Sequence, residues 1–160
     1  MTPSDENPFP APKERAAIWR FDHVNVSIGS GHALRALFEG VMGLDTGPRP
    51  PFPFPGRWLY EGDQAMVHAV DDPNLSAPGG EVHFGHIAFT SRQPASGVID
   101  RLRATGLPFK IARVPADNVA QIFVQLPGHF VVELDVPDDI EGPPTHVYSA
   151  TRSAPTAEDF

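Results

Sequence analysis

Hydrophobic and polar positions in the first half of the chain follow strand patterns on either side of one helix pattern. Residues 19–27 alternate apolar and polar side chains, which predicts a strand. Apolar side chains then recur at helical spacing, at Leu34, Leu37, Phe38 and Val41. This spacing predicts a helix over residues 32–44. A Pro-rich loop follows at residues 46–56, and residues 56–70 predict two strands joined by a turn.

The second half of the chain repeats this plan. The pattern predicts a strand, a helix and three strands, at residues 82–90, 96–107, 108–115, 120–126 and 129–137. The two ends of the chain differ from this middle part, because both are rich in proline and charge. We interpret residues 1–17 as a flexible arm and residues 138–160 as an acidic, Pro-containing tail exposed to solvent.

Two landmarks recur in the same order at the same separation. The sequence Phe-Asp-His-Val at residues 21–24 returns as Phe-Gly-His-Ile at residues 84–87, which begins 63 residues later. Gly-Leu at residues 43–44 returns at residues 106–107 with the same offset of 63. This internal repeat predicts one domain, residues 18–137, built from two modules at residues 18–75 and 81–137.

The repeat also pairs residues that bind metals. His23 and His86 occupy equivalent first strands, and His68 and Glu133 occupy equivalent last strands when a slip of two residues is allowed. Two imidazoles and one carboxylate bind divalent metals and leave coordination positions open for water, substrate or dioxygen. We therefore predict that His23, His86 and Glu133 hold one divalent metal, with Fe, Mn, Zn and Ni as candidates. His68 is a candidate ligand, a hydrogen-bonding neighbour of the ligands, or a general base.

Composition excludes several other classes of function. The chain has no cysteine, so disulfides, zinc–thiolate sites and cysteine nucleophiles are excluded. Its net charge of −8 does not favour binding to nucleic acid. No apolar run is long enough to span a bilayer and the first residues do not resemble a signal peptide, so we expect a cytoplasmic protein. Nucleotide-binding loops and a Ser-His-Asp pattern have no support either.

Several segments together resemble the vicinal-oxygen-chelate superfamily, which includes glyoxalases, bleomycin-resistance proteins and extradiol dioxygenases. They are DHVNVSI, FEGVMGL, GRWLYEGDQAMVHAV, HIAFTS and VEL, within residues 19–136. The resemblance implies an α+β fold in which two βαβββ modules form a curved mixed sheet around a metal site. It assigns the metal ligands to His23, His86 and Glu133, with His68 as the fourth ligand of one subset, and it implies a homodimer.

One departure from the superfamily pattern affects the predicted ligand Glu133. The last turn of such proteins usually reads Asp-Pro-Asp/Asn-Gly, with the glutamate four residues after the glycine. Here the turn reads Gln-Leu-Pro-Gly at residues 125–128, and Glu133 follows Gly128 by five residues. A β-bulge in the last strand would absorb the extra residue; without one, Glu133 would be displaced from the site.

Other polar and aromatic residues are candidates for substrate contacts. Arg113 and Gln121 lie on strands expected to line the concave face, although both could equally be polar residues of the sheet surface. Trp58 is a candidate pocket wall, with core packing as the alternative, and Phe52 and Phe54 belong to a candidate lid or dimer contact. The remaining histidines are assigned to the surface or a turn, at His32, His83, His129 and His146.

These observations favour a metal-dependent enzyme that acts on a small molecule with adjacent oxygen atoms. The metal would polarise a carbonyl or stabilise an enediolate, with His68 and Glu133 as candidate catalytic groups. The chemistry implied by the resemblance is glyoxalase-type lyase or isomerase chemistry, or dioxygenation. One alternative is a metal-free protein that binds a drug, as bleomycin-resistance proteins do. Another is a metal-binding protein without turnover.

Overall fold

The computed structural model describes residues 19–75 and 81–160. The first module contains β1 (Arg20–Ile28), α1 (His32–Leu34) with a π-helical continuation (Arg35–Val41), β2 (Asp45–Gly47), β3 (Gly56–Glu61) and β4 (Gln64–Asp71). The second module contains β5 (Val82–Thr90), α2 (Ala95–Thr105), β6 (Phe109–Arg113), β7 (Val119–Leu126) and β8 (Phe130–Pro137). A short 3₁₀ turn, Ala157–Asp159, lies near the C-terminus. The predicted strands and helices therefore occur in the predicted order, with one further strand, β2, between the first helix and β3.

All eight strands belong to one mixed sheet with the order β2-β3-β4-β1-β5-β8-β7-β6. The two modules meet where β1 pairs antiparallel with β5. Within each module the first strand pairs parallel with the last, β1 with β4 and β5 with β8. This arrangement is the predicted α+β fold of two βαβββ modules, and it places the first and last strands of both modules side by side at the centre.

The first helix differs from its predicted form. Beyond Leu34 the backbone widens into a π-helix, in which the N–H of Met42 bonds to the carbonyl of Leu37, five residues earlier. The wider turn rotates later side chains away from the sheet, so Leu37 and Val41 are exposed. A second difference is β2, which occupies the start of the predicted Pro-rich loop because it pairs with β3.

Each module has its own apolar core between the sheet and its helix. The first core contains Ile28, Leu34 and Leu59, all at most 1% exposed. The second core lies beneath α2, whose Val98 and Ile99 pack against β7 and β8. The two cores hold the helices on one face of the sheet and leave the opposite face for polar groups. Among the residues described, no helix is long and apolar enough to cross a membrane.

The C-terminal residues 138–160 are packed against the second module, so the interpretation of this segment as a solvated tail is wrong. The backbone N–H groups of Thr145 and His146 both donate to the carbonyl of Ile111 on β6. His146 is 1% exposed, which also contradicts its prediction as a surface residue. Aromatic and small apolar residues anchor the segment against the sheet, because Tyr148, Ala154 and Phe160 pack on a third buried cluster. The predicted N-terminal arm, residues 1–17, lies outside the described residues.

Arg113 holds the start of this C-terminal segment. Its Nε donates to Asp138 Oδ2 at 2.5 Å, and its two terminal nitrogens donate to the carbonyls of Ile140 and Gly142, both at 2.8 Å. The planar guanidinium thereby satisfies one carboxylate and two carbonyls at once. All three of these donors serve the C-terminal segment, and the predicted contact of Arg113 with substrate stays a prediction.

Arg113→Ala is expected to destabilise the fold. Removing the guanidinium leaves the carboxylate of Asp138 and two carbonyls without their donor, which should lower the free energy of unfolding by about 2 kcal/mol. Urea denaturation measures this change. Arg103→Ala is the matched control, because its pair with Asp100 is exposed and should contribute less than about 0.5 kcal/mol. Equal losses in the two variants would contradict the anchoring role of Arg113.

The same anchor predicts a dependence of stability on pH. Partial burial raises the pKa of Asp138, but hydrogen bonds from Arg113 and the N–H of Ile140 outweigh burial and lower the pKa below its usual value. The contribution of Asp138 is therefore complete above about pH 4 and is lost as pH falls through the lowered pKa. Asp138→Asn should be less stable than wild type at pH 7, and the difference should shrink as pH falls below about 4 and through the lowered pKa. A stability difference that is the same at both pH values would show that the charge is not responsible.

Candidate metal centre

Three adjacent strands bring the predicted ligands together at the centre of the sheet. His23 lies on β1, His86 on β5 and Glu133 on β8, and each side chain is at most 2% exposed. One ligand atom from each of these three residues lies within 4.8 Å of the others. The pairing of β1 with β5 and of β5 with β8 therefore assembles a buried His-His-Glu group from both modules.

The distances within this group suit a shared metal ion better than hydrogen bonding. His86 Nε2 lies 2.5 Å from Glu133 Oε2 but does not have the geometry of a hydrogen bond. His23 Nε2 lies 3.5 Å from the same oxygen. Nitrogen and oxygen ligands about 2.0–2.2 Å from a common metal are separated from each other by roughly 3 Å. The three side chains thus offer a donor set and spacing that fit a divalent metal.

The extra residue before Glu133 is accommodated by the turn and not by a β-bulge. Strands β7 and β8 pair without a register shift from Leu126–Phe130 through Phe123–Glu133. The additional residue lies in the connection, where Gly128 and His129 both have positive φ, 85° and 63°. Glu133 therefore keeps its place on the concave face without the predicted bulge.

A close contact between β1 and β5 fixes the position next to His86. The register shifts between Asn25 and Val26, opposite Gly85. A Cβ atom on Gly85 would lie 2.2 Å from the side-chain oxygen of Asn25, so any larger residue would require the side chain of Asn25 to move. Gly85 therefore allows the two modules to approach closely beside the candidate ligands.

The structure places His68 beside the metal group but outside it. In the parallel pairs, Asn25 faces His68 in the first module and Ala88 faces Glu133 in the second, so His68 and Glu133 occupy equivalent positions as predicted. Among the described residues, however, no group of converging ligand atoms includes His68. Its ring is stacked between Trp58, with centroids 3.7 Å apart, and His23, at 3.4 Å.

Burial leaves His68 neutral. Burial, followed by the neighbouring imidazole of His23, lowers the pKa of His68 to about 2. Its Nε2 atom is buried and has no hydrogen-bond partner among the described residues. A neutral imidazole with a free nitrogen can exchange a hydrogen bond with a bound molecule, whereas a pKa this low makes it a weak proton acceptor at neutral pH.

Hydrogen bonds from neighbouring side chains orient the ligands. Asp22 Oδ2 lies 2.7 Å from His23 Nδ1, which leaves Nε2 of that ring facing the site. Gln121 Nε2 donates to Glu133 Oε1 at 2.5 Å, and the hydroxyl of Tyr148 donates to Gln121 Oε1 at 2.6 Å. The predicted substrate residue Gln121 therefore uses both ends of its amide within the protein and supports Glu133.

The electrostatics of the group favour a positive charge at its centre. Burial opposes protonation of His23, but the hydrogen bond to Asp22 and the proximity of Glu133 outweigh it and raise the pKa of His23 to about 9. Burial also disfavours ionisation of Glu133, yet the nearby His86 and His23 hold its pKa well below the usual value. An ionised carboxylate is thus held among neutralising partners, as a cation site requires.

Two spaces adjoin the centre. A small cavity of about 30 Å³ is lined by the three ligands together with Phe52, Phe54 and Tyr148. A larger cleft of about 740 Å³ is also bordered by His23, His68, Trp58 and Gln121. Trp58 lines both spaces, and its predicted contact with substrate stays a prediction. The histidines predicted to lie away from the site, His32, His83 and His129, are exposed.

Sequence reasoning missed two supporting residues, Asp22 and Tyr148. Asp22 precedes His23 directly, and alternation along a strand assigns it to the opposite face; its carboxylate nevertheless reaches the ring of His23. Tyr148 lies in a Pro-rich segment whose composition gives no periodic pattern. The only sequence feature pointing to Tyr148 is an aromatic side chain within an otherwise polar segment.

Comparisons with known proteins identify the fold. No protein-family model matches the chain, and no curated protein matches it. The solved structure of methylmalonyl-CoA epimerase from Mycobacterium tuberculosis is similar, with a TM-score of 0.52 and 16% identity over 73% of this chain and 87% of that chain. The 2,3-dioxygenase LapB from Pseudomonas sp. KL28 is similar with a TM-score of 0.57 and 14% identity, over 82% of this chain and 42% of that one.

A third similar structure is a variant of homoprotocatechuate 2,3-dioxygenase from Brevibacterium fuscum, with a TM-score of 0.55 and 13% identity over 74% of this chain and 32% of that chain. The chain spans most of the epimerase but less than half the length of each dioxygenase. At these identities the likeness shows the fold alone. The protein has the glyoxalase-like α+β fold, as its sequence predicted.

Tyr148→Phe should weaken metal binding without unfolding the protein. The substitution removes the hydroxyl that fixes the amide of Gln121 and, through it, the carboxylate of Glu133. Groups that hydrogen-bond metal ligands typically contribute about 10- to 100-fold in affinity, so we expect a loss in that range. Titration with Zn²⁺ against a competing chelator measures the affinity.

Tyr60→Phe provides the matched control. It also removes a tyrosine hydroxyl, but one that donates to the carbonyl of Pro48 and contacts none of the three candidate ligands. The Tyr60→Phe variant should bind Zn²⁺ with the same affinity as the wild-type protein. An unchanged affinity in Tyr148→Phe would show that the C-terminal segment does not support the centre.

Proposed function

We propose that the protein is a metal-dependent enzyme that acts on a small organic molecule through two adjacent oxygen atoms. The observation that carries this proposal is the buried convergence of His23, His86 and Glu133 beside a cleft of about 740 Å³. Two imidazoles and one carboxylate would leave further coordination positions for a substrate. The cleft is large enough for a small organic molecule and reaches the centre past His23 and His68.

A divalent metal bound here would act as a Lewis acid on the substrate oxygens. The protein's own residues would fix the geometry of this centre. Asp22 and Gln121 orient His23 and Glu133, and burial of the three ligands keeps bulk water away from them. The neutral ring of His68 presents Nε2 as a hydrogen-bonding atom toward a bound substrate.

Two kinds of chemistry are compatible with this arrangement. Glyoxalase-type isomerase or lyase chemistry needs a polarised carbonyl, and ring-cleaving dioxygenation needs iron with positions for both substrate and oxygen. Because His68 lies outside the ligand group, the protein would supply three ligands to the metal. This number of ligands would leave coordination positions of the metal open. Identifying the native metal decides which substrates to test first.

The alternative of a metal-free drug-binding protein is less compatible with the centre. Such a protein has no use for a glutamate and two histidines that are almost completely buried and converge on one point. Burying these ionisable groups is unfavourable unless a counter-charge or metal compensates. The pKa of His23, raised to about 9 against the opposing effect of burial, is consistent with a centre that attracts positive charge.

The metal content of the purified protein tests the proposal. Protein prepared without chelator should contain close to one equivalent of a divalent metal by plasma mass spectrometry, and His86→Ala and Glu133→Ala should lose it because each removes one of three ligands. Circular dichroism verifies that both variants are folded. Iron would direct the search to catechols and oxygen uptake; zinc, nickel or manganese would direct it to isomerase and lyase substrates.

His68→Ala serves as the control, because it removes an imidazole beside the centre that is not one of the converging ligands. This variant should retain its metal. Loss of metal from His68→Ala as from the other two would make His68 a fourth ligand. Wild-type protein that stays empty after reconstitution with each metal would overturn the proposed function.

A further inference from the structure

The two ends of the concave face are related by the repeat but are not equivalent. Strand register places the β3–β4 turn, the start of β1 and the β6–β7 connection at one end. The β2–β3 loop and the β7–β8 turn lie at the opposite end. A substrate of the proposed enzyme could therefore reach the centre only through an end that is not blocked by side chains.

The end near the β2–β3 loop is closed by aromatic packing. Phe52 and Phe54 from this loop contact Tyr148 of the C-terminal segment, with ring centroids 5.1 and 5.4 Å apart. Arg49 covers both phenylalanine rings and donates to the carbonyl of Phe54 at 2.9 Å. Only the cavity of about 30 Å³ remains beneath them, which is too small for an organic substrate.

The other end opens into the large cleft, and the outer rim of this cleft is acidic. Asp63 and Asp117 line this rim; deeper in the cleft, Asp22 pairs with His23, and burial together with Glu133 raises the pKa of Asp135 well above its usual value, so these two aspartates add little free negative charge. Among the described residues that line the cleft, Arg20 is the only arginine or lysine. Asp63 and Asp117 are exposed at the rim, one in the β3–β4 turn of the first module and the other in the β6–β7 connection of the second.

The walls and the inner end of the cleft indicate what kind of molecule would fit between these aspartates. Phe21, Trp58 and Tyr60 provide aromatic surface along the cleft. At the inner end, Asp135 Oδ1 is buried and has no hydrogen-bond partner among the described residues. Aromatic walls suit a flat or apolar ring, and the buried, unpartnered carboxyl oxygen of Asp135 beside it suits a molecule that can form a hydrogen bond there.

From the closed end, the open cleft and its charge, we infer that the substrate is an uncharged or cationic ring compound that enters between the Asp63 and Asp117 turns. Its adjacent oxygens would lie toward the His-His-Glu group and its substituent toward the acidic rim. Carboxylate, phosphate and coenzyme A substituents are disfavoured, because they would lie among like charges. The inference rests on the proposed function, since it assumes that the oxygens are held at that centre.

Binding of three matched catechols tests this inference. Dopamine, 4-methylcatechol and 3,4-dihydroxyphenylacetate share the same adjacent oxygens but carry a cationic, a neutral and an anionic substituent. Calorimetric titration of Zn²⁺-loaded protein at low salt and without oxygen measures equilibrium binding without turnover. We expect dopamine to bind most tightly and the dihydroxyphenylacetate most weakly, at least about fivefold apart, with the ratio reduced in 0.5 M NaCl.

Charge-neutralising variants separate the cleft from the overall charge of the protein. Asp63→Asn combined with Asp117→Asn should reduce the ratio between the cationic and anionic catechols several-fold. Asp100→Asn combined with Glu158→Gln removes the same charge at exposed positions that do not line the cleft and should leave the ratio unchanged. The comparison uses ratios, so differences in how the three catechols chelate zinc cancel.

The possible failures are distinguishable. If none of the catechols binds the Zn²⁺-loaded protein, chelation at this centre is wrong and the proposed function falls together with the inference. If all three bind but the anionic one binds as tightly as the cationic one, only the inference on substrate charge is wrong. The same conclusion follows if the two double variants change the ratio equally.

Discussion

The fold depends on keeping one carboxylate ionised in its interior. Glu133 is 1% exposed, and its charge is tolerated because His23 and His86 converge on it from the neighbouring strands. Those three side chains meet only if β1, β5 and β8 lie next to one another, which requires both modules to share a single sheet. The junction between the modules is therefore also the place where the chain concentrates its buried charge.

Much of the surrounding structure serves this junction. Gly85 lets the two first strands approach closely, and Gln121 fixes the carboxylate of Glu133. The C-terminal segment adds Tyr148 to this network and is itself held by Arg113. A residue on β6 therefore contributes to the centre indirectly, through the segment that it anchors. The same segment closes one end of the concave face and leaves the other end for a substrate.

The sequence was sufficient to predict the elements, the two modules and the candidate ligands, because these follow from short-range patterns and from a repeat. Alternating side chains define strands locally, and the common offset of 63 relates His23 to His86 through their positions along the chain alone. The fold of residues 138–160 was not predictable in this way. It depends on long-range partners, such as the guanidinium of Arg113 and the carbonyl of Ile111, and has no periodicity of its own.

The π-helical continuation of α1 and the turn before Glu133 were missed for a related reason. The apolar spacing of residues 32–44 is that of an α-helix, and it carries no signal for the π-helical hydrogen bonds, which reach one residue further along the chain. Likewise, a residue inserted before Glu133 can enter a strand as a bulge or a turn as a residue with positive φ. Here the extra residue lies in the turn, where His129 has positive φ, and the register of β8 is therefore unchanged.

Divergence between the two modules explains why equivalent positions carry different functions. In the first module His68 pairs across the sheet with Trp58, whose ring stacks on it, and the position that corresponds to Gln121 is Gly56, which has no side chain. The ring of His68 is therefore held parallel to the ring of Trp58 by stacking, and no side-chain amide orients it toward the centre.

In the second module Glu133 pairs with Phe123, and Gln121 lies within hydrogen-bonding distance of its carboxylate. The repeat thus supplies four positions for ligands at the junction, but only the second module surrounds its last-strand residue with a polar partner. An arrangement of three protein ligands, with His68 as a neutral wall beside them, follows from this asymmetry. In the proposed metal centre, the coordination positions that a fourth protein ligand would occupy would then be left to a substrate.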